Sequence, residues 1–403
     1  MSSSAVRRPI AGLGLILLAY IAFISLGLPD GLLGVAWPSI RAEFQRPLDS
    51  LGLLLLASTT GYLTSSFFSG RVMARLGVGG LLAASCFATG TALLGYTIAP
   101  SWWMIVALGL LAGAGAGAID AGLNTYVAAN YSEGLMQWLH ASFGVGVTIG
   151  PIIMTAGINN FESWRAGYLV VGTAQVLLAI CFFLTASSWK RPATQSEDAE
   201  PEQRLTDYKT SFRHTLSQPN VWLSLMLFFL YTGAEVTLGQ WTYSLLTEGR
   251  GISPEVAGLW AGSYWGTFTI GRIVAGLYTR RISVDLLLRL CIGTAFVGAV
   301  LLAWNPVEWV GLAGIAIVGF AVAPIFPALV SGTADRVGPA HAANTIGMQI
   351  SAAGLGVAII PGLAGVLARV YTLEIIPFYL IGTIALLFVG YLTASRYTGK
   401  PKR

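Results

Sequence analysis

Four ionisable side chains stand inside otherwise apolar runs: Asp30, Asp120, Glu235 and Arg272. A charge placed in hydrocarbon is costly, so each is a candidate for function before any element is assigned. Burial away from cations disfavours an ionised carboxylate. Acids so placed can load and release protons near neutral pH, or accept hydrogen bonds from a bound solute. The structural alternative is a carboxylate tied to a backbone amide or to Arg272, and a Glu235–Arg272 ion pair would simply hold two successive helices together. Arg272 itself reads as a structural or gating group. His140 has two readings, an interfacial or helix-satisfying imidazole and a proton relay. Covalent chemistry finds no support. The glycine-rich run Gly113–Ala118 follows no strand and lies in an apolar helix, where close packing explains it better than phosphate binding. With no His/Cys cluster at metal spacing and no nucleophile elbow, the sequence predicts neither an enzyme nor a cofactor or metal site.

The elements that must position these groups follow from composition. Of 403 residues, 55% are hydrophobic and only 10% charged, against about 25% in a soluble domain. Mean hydropathy is +0.70. So few charges cannot cover a water-facing surface, which makes the chain a polytopic membrane protein and excludes a soluble enzyme, a nucleic-acid partner and a disordered scaffold. Runs of about 20 residues, enough to cross a bilayer, recur near 9–36, 49–70, 79–98, 102–129, 136–159, 165–188, 220–247, 255–279, 284–304, 307–333, 342–368 and 373–395. The expected fold is all-α, with twelve transmembrane helices. Cys86, Cys181 and Cys291 lie within these runs and read as small packing residues rather than a disulfide framework.

One stretch differs. Residues 189–219 carry ten charges, from Lys190 to Arg213, and fall between the sixth and seventh spans. This charged linker divides the chain into an N-terminal bundle, 1–188, and a C-terminal bundle with a short basic tail, 220–403. With the N-terminus inside, seventeen basic residues lie on the cytoplasmic side and five outside, so both termini are expected in the cytoplasm. At about 1.5 Å per residue, Asp30 falls nearer the outer end of its span. Asp120 and Arg272 fall nearer the inner ends of theirs, and Glu235 near mid-membrane. Asp30 and Asp120 therefore read as separate stations rather than a carboxylate dyad.

The chain also repeats itself. Gly144-Val-Gly-Val-Thr-Ile-Gly-Pro151 in the fifth span and Gly354-Leu-Gly-Val-Ala-Ile-Ile-Pro361 in the eleventh share the pattern G-x-G-V-x-I-x-P, 210 residues apart. A weaker echo pairs Asp30 and Gly34 with Glu235 and Gly239. Duplicated six-helix halves joined by a charged loop resemble the major facilitator superfamily. The loop Gly70-Arg-Val-Met-Ala74-Arg75-Leu-Gly77 is similar to that superfamily's G-x-x-x-D-R-x-G signature, with Ala74 where the signature has its acid. The resemblance implies a gating role for Arg75.

A narrower resemblance lies in Ile119-Asp120-Ala-Gly-Leu-Asn124-Thr-Tyr126 and Trp138-Leu-His140-Ala-Ser-Phe-Gly144. Fucose-permease-type sugar:proton symporters carry an acid-x-x-x-Asn-x-aromatic stretch in helix four, then a polar-x-Ser-Phe-x-Gly run in helix five. They also have an acid late in helix one, matched by Asp30. Asp120 replaces a Glu, and His140 stands where an amide is usual. Poorly characterised bacterial facilitators with an Ile-Asp-Ala-Gly-Leu-Asn core are also similar. The resemblance implies alternating-access symport of a small neutral polar solute such as a monosaccharide. Asp120, Asp30 and His140 would couple protons, with Na+ left open. Asp30, Asn124, Glu235, Gln240, Asn344 and Gln349 would bind solute hydroxyls. Trp241 and Trp265 would stack on a sugar ring, although membrane Trp also serves as an interfacial anchor. The competing class is a proton-driven drug or metabolite exporter, and a lipid transporter ranks third. A monomer in the cell (inner) membrane, with the bilayer as its other partner, completes the expectation.

Overall fold

The computed structural model describes residues 11–130, 133–189, 210–278 and 282–398. Hydrocarbon offers no partner to backbone polar groups, so a chain of this composition satisfies them within helices, and no strand occurs among the described residues. The first half comprises α1 (Ala11–Glu43), α2 (Ser50–Ile98), α3 (Trp102–Asn130), α4 (Glu133–Phe161) and α5 (Trp164–Leu184). A short α6 (Phe212–Leu216) precedes α7 (Pro219–Ser244), which ends in a π-helical turn, Leu245–Gly249. Then come α8 (Pro254–Tyr278), α9 (Val284–Trp304), α10 (Glu308–Val322), α11 (Ile325–Ser331), α12 (Thr333–Val337), α13 (Pro339–Val370) and α14 (Ile375–Thr398).

Ten helices among the described residues, with α10 and α11 taken together, are long and apolar enough to cross a membrane. α2 holds two crossings in one helix of 49 residues, broken only at Gly77 (φ 73°, ψ 173°). Its two limbs run antiparallel: a Cβ on Gly113 of α3 would lie 1.9 Å from the Ser58 carbonyl of the first limb, and one on Gly115 would lie 2.1 Å from Thr89 Oγ1 of the second. α8 has the length of a span, but Arg272 and its Gly, Ser and Thr residues lower its hydropathy. Counting both limbs of α2 and adding α8 gives the twelve crossings that the sequence predicts. The tenth is interrupted before Ile325, at Pro324, which cannot continue the hydrogen-bond ladder. Of the charged linker, 190–209 lies outside the described residues.

The halves are built alike. α1 packs on α4 as α7 packs on α13, and α2 packs on α3 and α5 as α9 packs on α10 and α14. Pro29 leaves the Ser25 carbonyl without its helical donor, and buried Gln175 of α5 supplies one at 3.0 Å. Between the halves, α1 meets α7, α4 meets α8, and α2 meets α13. Backbones of the two halves meet at the end away from the chain termini. There a Cβ on Gly34 would lie 2.9 Å from the Gly239 carbonyl, and one on Gly52 would lie 2.7 Å from Gly362 Cα. Arg41 pairs with Glu248, and Asp49 pairs with Arg369 at 3.2 Å.

Candidate functional site: a cavity between the halves

Splaying of the helices from that closed end leaves a cavity of about 1460 Å³ between the halves. Its walls reach residues near the termini end of α4, α8 and α11, such as Met136, Ala275 and Ser331. Five of the residues singled out in the sequence line it: Asp30, Asp120, His140, Glu235 and Arg272.

Asp30 follows Pro29 on α1, at the closed end. Its side chain is exposed to the cavity and makes no hydrogen bond among the described residues, which leaves both carboxyl oxygens open to a bound molecule. Glu235 of α7 lies within electrostatic reach of it, across the boundary between halves. The Tyr231 hydroxyl sits beside the Glu235 carboxyl. Asp120 of α3 is held differently. Tyr62 donates to its Oδ2 at 2.5 Å, and Asn124, one turn on, donates to Oδ1 at 2.9 Å. His140 of α4 packs edge-on against Phe23, with ring centroids 5.7 Å apart, and lies within electrostatic reach of both Asp120 and Arg272. Arg272 stacks over Phe268 at 4.4 Å, makes no ion pair with Glu235 or any other described acid, and keeps a buried Nε without a partner. Asp30 and Glu235 thus sit at the closed end. Asp120 and His140 form a second group along the wall, and Arg272 lies within electrostatic reach of both His140 and Glu235. Tyr62 lies between the two groups, close enough to Asp30 to feel its charge.

Other candidates lie elsewhere. Asn124 serves the cavity only through Asp120. Gln240 is buried and ties the halves together, donating to the Asp30 backbone carbonyl at 3.2 Å. Trp241 is fully buried and donates to the Pro361 carbonyl at 3.0 Å, which makes it a packing residue rather than a stacking platform. Trp265 is buried between Tyr264 and Phe268, away from the cavity lining. Gln349 is fully buried and bonded to Ser224 at 2.7 Å and Thr333 at 3.1 Å. Asn344 donates to the Thr210 carbonyl at 2.9 Å, at the start of α13. Gln349 and Asn344 spend their hydrogen bonds on the fold, because an unpaired amide in an apolar interior is costly, whereas Gln240 keeps a buried Oε1 without a partner among the described residues. Arg75 is exposed beyond the cavity. Sequence reasoning missed Tyr62 and Tyr231, and the aromatic faces that do line the cavity include Phe23, Phe143 and Phe326.

The sequence profile of the Major Facilitator Superfamily matches residues 15–306 and, overlapping them, 242–403. Among curated relatives, the chain is 24% identical over 386 residues to bypass of stop codon protein 6 of Saccharomyces cerevisiae, covering 89% of this chain and 77% of that one. It is 25% identical to human sodium-dependent glucose transporter 1 (87% and 73%) and 22% identical to the glucose/mannose transporter GlcP of Bacillus subtilis (96% and 95%). Among solved structures, a bacterial homolog of the human lysosomal transporter Spinster superposes with a TM-score of 0.75 at 15% identity, over 98% of each chain. The transporter FucP, in its outward conformation, superposes with a TM-score of 0.61 at 16% identity, over 97% of this chain and 100% of that one.

Proposed function

The chain belongs to the Major Facilitator Superfamily, and from that premise we propose that it is a proton-coupled symporter of a small neutral polar solute, a monosaccharide such as glucose or mannose. The observation that carries this reading is the division of labour among the cavity carboxylates. Asp30 presents free acceptor oxygens to the cavity, whereas Asp120 has both oxygens met by fixed donors. We assign the first to a solute hydroxyl and the second, whose oxygens already have protein donors, to the coupling proton. Two relatives named for glucose or glucose/mannose transport align along most of the chain, which supports the sugar assignment. The cavity aromatics offer apolar faces to the C–H side of a pyranose. The bundles 1–188 and 220–403 rock about the cavity, and the protein works as a monomer in the cell membrane with both termini in the cytoplasm.

Proteoliposomes decide the matter. Labelled glucose and mannose should accumulate under an imposed proton gradient, and an Na+ gradient imposed alone should drive nothing. Asp30→Ala should weaken glucose binding ten- to a hundredfold, on the order of one lost charged hydrogen bond of about 1.5–3 kcal/mol. Absence of hexose movement under either gradient would sink the reading. The mostly apolar cavity wall favours one alternative, a proton-driven exporter, for which the same vesicles would extrude a lipophilic cation.

A further inference from the structure

Tyr62 is the fixed donor nearest the carboxylate that would carry the proton, and its placement is rigid. Glycines bring the first limb of α2 into backbone contact with α3: a Cβ on Gly61 would lie 2.1 Å from the Leu110 carbonyl, and one on Gly117 would lie 2.2 Å from the carbonyl of Tyr62 itself. Ser66 Oγ closes the same contact, donating to the Gly117 carbonyl at 3.0 Å. The Tyr62 hydroxyl meets Asp120 Oδ2 at 2.5 Å while the ring lines the cavity. Around this pair stand Asn124 on the same helix as Asp120, His140 from α4, Arg272 from α8 beyond His140, and Asp30 from α1 on the Tyr62 side.

A phenol carries one hydrogen and can donate it only once. While Asp120 is ionised, that hydrogen is committed to Oδ2. When a proton arrives on Oδ2, two donors would face each other, so the contact must reverse. The acid O–H donates, the phenol oxygen accepts, and the tyrosine O–H turns about its C–O bond without any covalent bond being broken. Its hydrogen then points away from Asp120 and is available to a molecule in the cavity that Tyr62 lines. We propose that Tyr62 is the positioning residue that converts protonation of Asp120 into a hydrogen-bond donor for the solute, so that proton loading completes part of the solute site. The inference rests on the proton-coupled reading above and adds the residue that links its two ligands. It fixes the order of binding as proton first.

The test uses the purified full chain with D-glucose as probe. For the wild type, affinity should fall at least tenfold from acid to alkaline pH. Asp120→Asn places an amide donor where the acid O–H would stand, so it should bind at alkaline pH as tightly as the wild type does at acid pH. Tyr62→Phe, alone or combined with Asp120→Asn, should bind weakly and without pH dependence, and a fluorinated tyrosine at position 62, which keeps the hydroxyl, should restore the dependence. A second readout needs no sugar. The infrared carboxyl band that Asp120→Asn deletes should titrate at a pH at least one unit higher in Tyr62→Phe, because the ionised form has lost a donor. Wild-type pH dependence in Tyr62→Phe, or an unmoved infrared midpoint, overturns the proposal. A moved midpoint with no glucose binding by any variant overturns the sugar assignment and leaves the Tyr62–Asp120 link standing.

Discussion

The α4–α8 seam and the α2–α13 seam occupy equivalent places between the halves, yet of the two only the first sends a guanidinium and an imidazole, Arg272 and His140, into the cavity. α4 and α13 carry the same G-x-G-V-x-I-x-P motif, and its two glycines divide their work identically in both. The second glycine packs inside its own half: Gly146 against the Ile24 carbonyl of α1, Gly356 against the Phe229 carbonyl of α7. The first faces the other half: Gly144 against Thr269 of α8, Gly354 against Leu63 and Thr59 of α2. The chemistry then parts. His140 on α4 answers to Ile350 on α13 at the same offset, and both line the cavity. Arg272 on α8 enters the cavity over Phe268, whereas Arg71, in the similar run Gly70-Arg71 beside Phe68, is exposed outside it. Backbone approach was retained in both copies because small residues are what let membrane helices touch. Side-chain chemistry differs between the two seams: the α2–α13 seam brings hydroxyls such as Ser58, Thr59 and Tyr62 to the cavity and, among the described residues, no charged group.

That contrast can be broken in three ways. Adding a branched side chain at the shared backbone contact should do most damage. Gly146→Val and Gly356→Val should each prevent recovery of folded, monodisperse protein, and loss in only one of them would show that the motif packs differently in the two halves. Next in size is the chemical difference. Asp120→Asn should abolish uphill accumulation while sparing solute counterflow, whereas Val330→Asn, at the corresponding offset in the second half, should leave coupling intact. Normal pH-driven accumulation by Asp120→Asn would remove Asp120 from the coupling step. The smallest effect separates the two arginines. Arg272→Gln should slow transport about tenfold through the loss of a cavity cation, and Arg71→Gln should stay within about twofold, as surface substitutions usually do. Equal effects would make the arginines equivalent parts of a mechanism that uses both seams alike.

The fold was legible because twelve apolar runs and a repeated motif are properties of the sequence that survive without coordinates. The ionisable members of the site were legible for a related reason: Asp30, Asp120, His140, Glu235 and Arg272 stand out against an apolar background, and such groups face cavities rather than lipid. The amides and indoles misled. Gln240, Gln349 and Trp241 carry polar atoms that suit a solute equally well, but the rotation of each helix decides where those atoms point, and nearly uniform apolarity around these helices hides that rotation. Tyr62 was missed for the opposite reason. In an apolar limb a tyrosine reads as bulk, and its role appears only once Gly117 of another helix is seen to bring Asp120 to its hydroxyl. The boundary between the second and third spans was expected as a loop, but one glycine suffices.

That single glycine bears on how this hairpin can evolve. Gly77 holds a backbone conformation that side-chain-bearing residues rarely adopt, and helix continues on both sides of it without slack. One inserted residue there would turn the second limb by about 100° about its axis, carrying Thr89, Leu93 and Tyr96 out of the cavity wall. Ordinary loops drift in length among descendants at little cost. This turn has no such tolerance, so its length should stay fixed in any lineage that keeps the cavity.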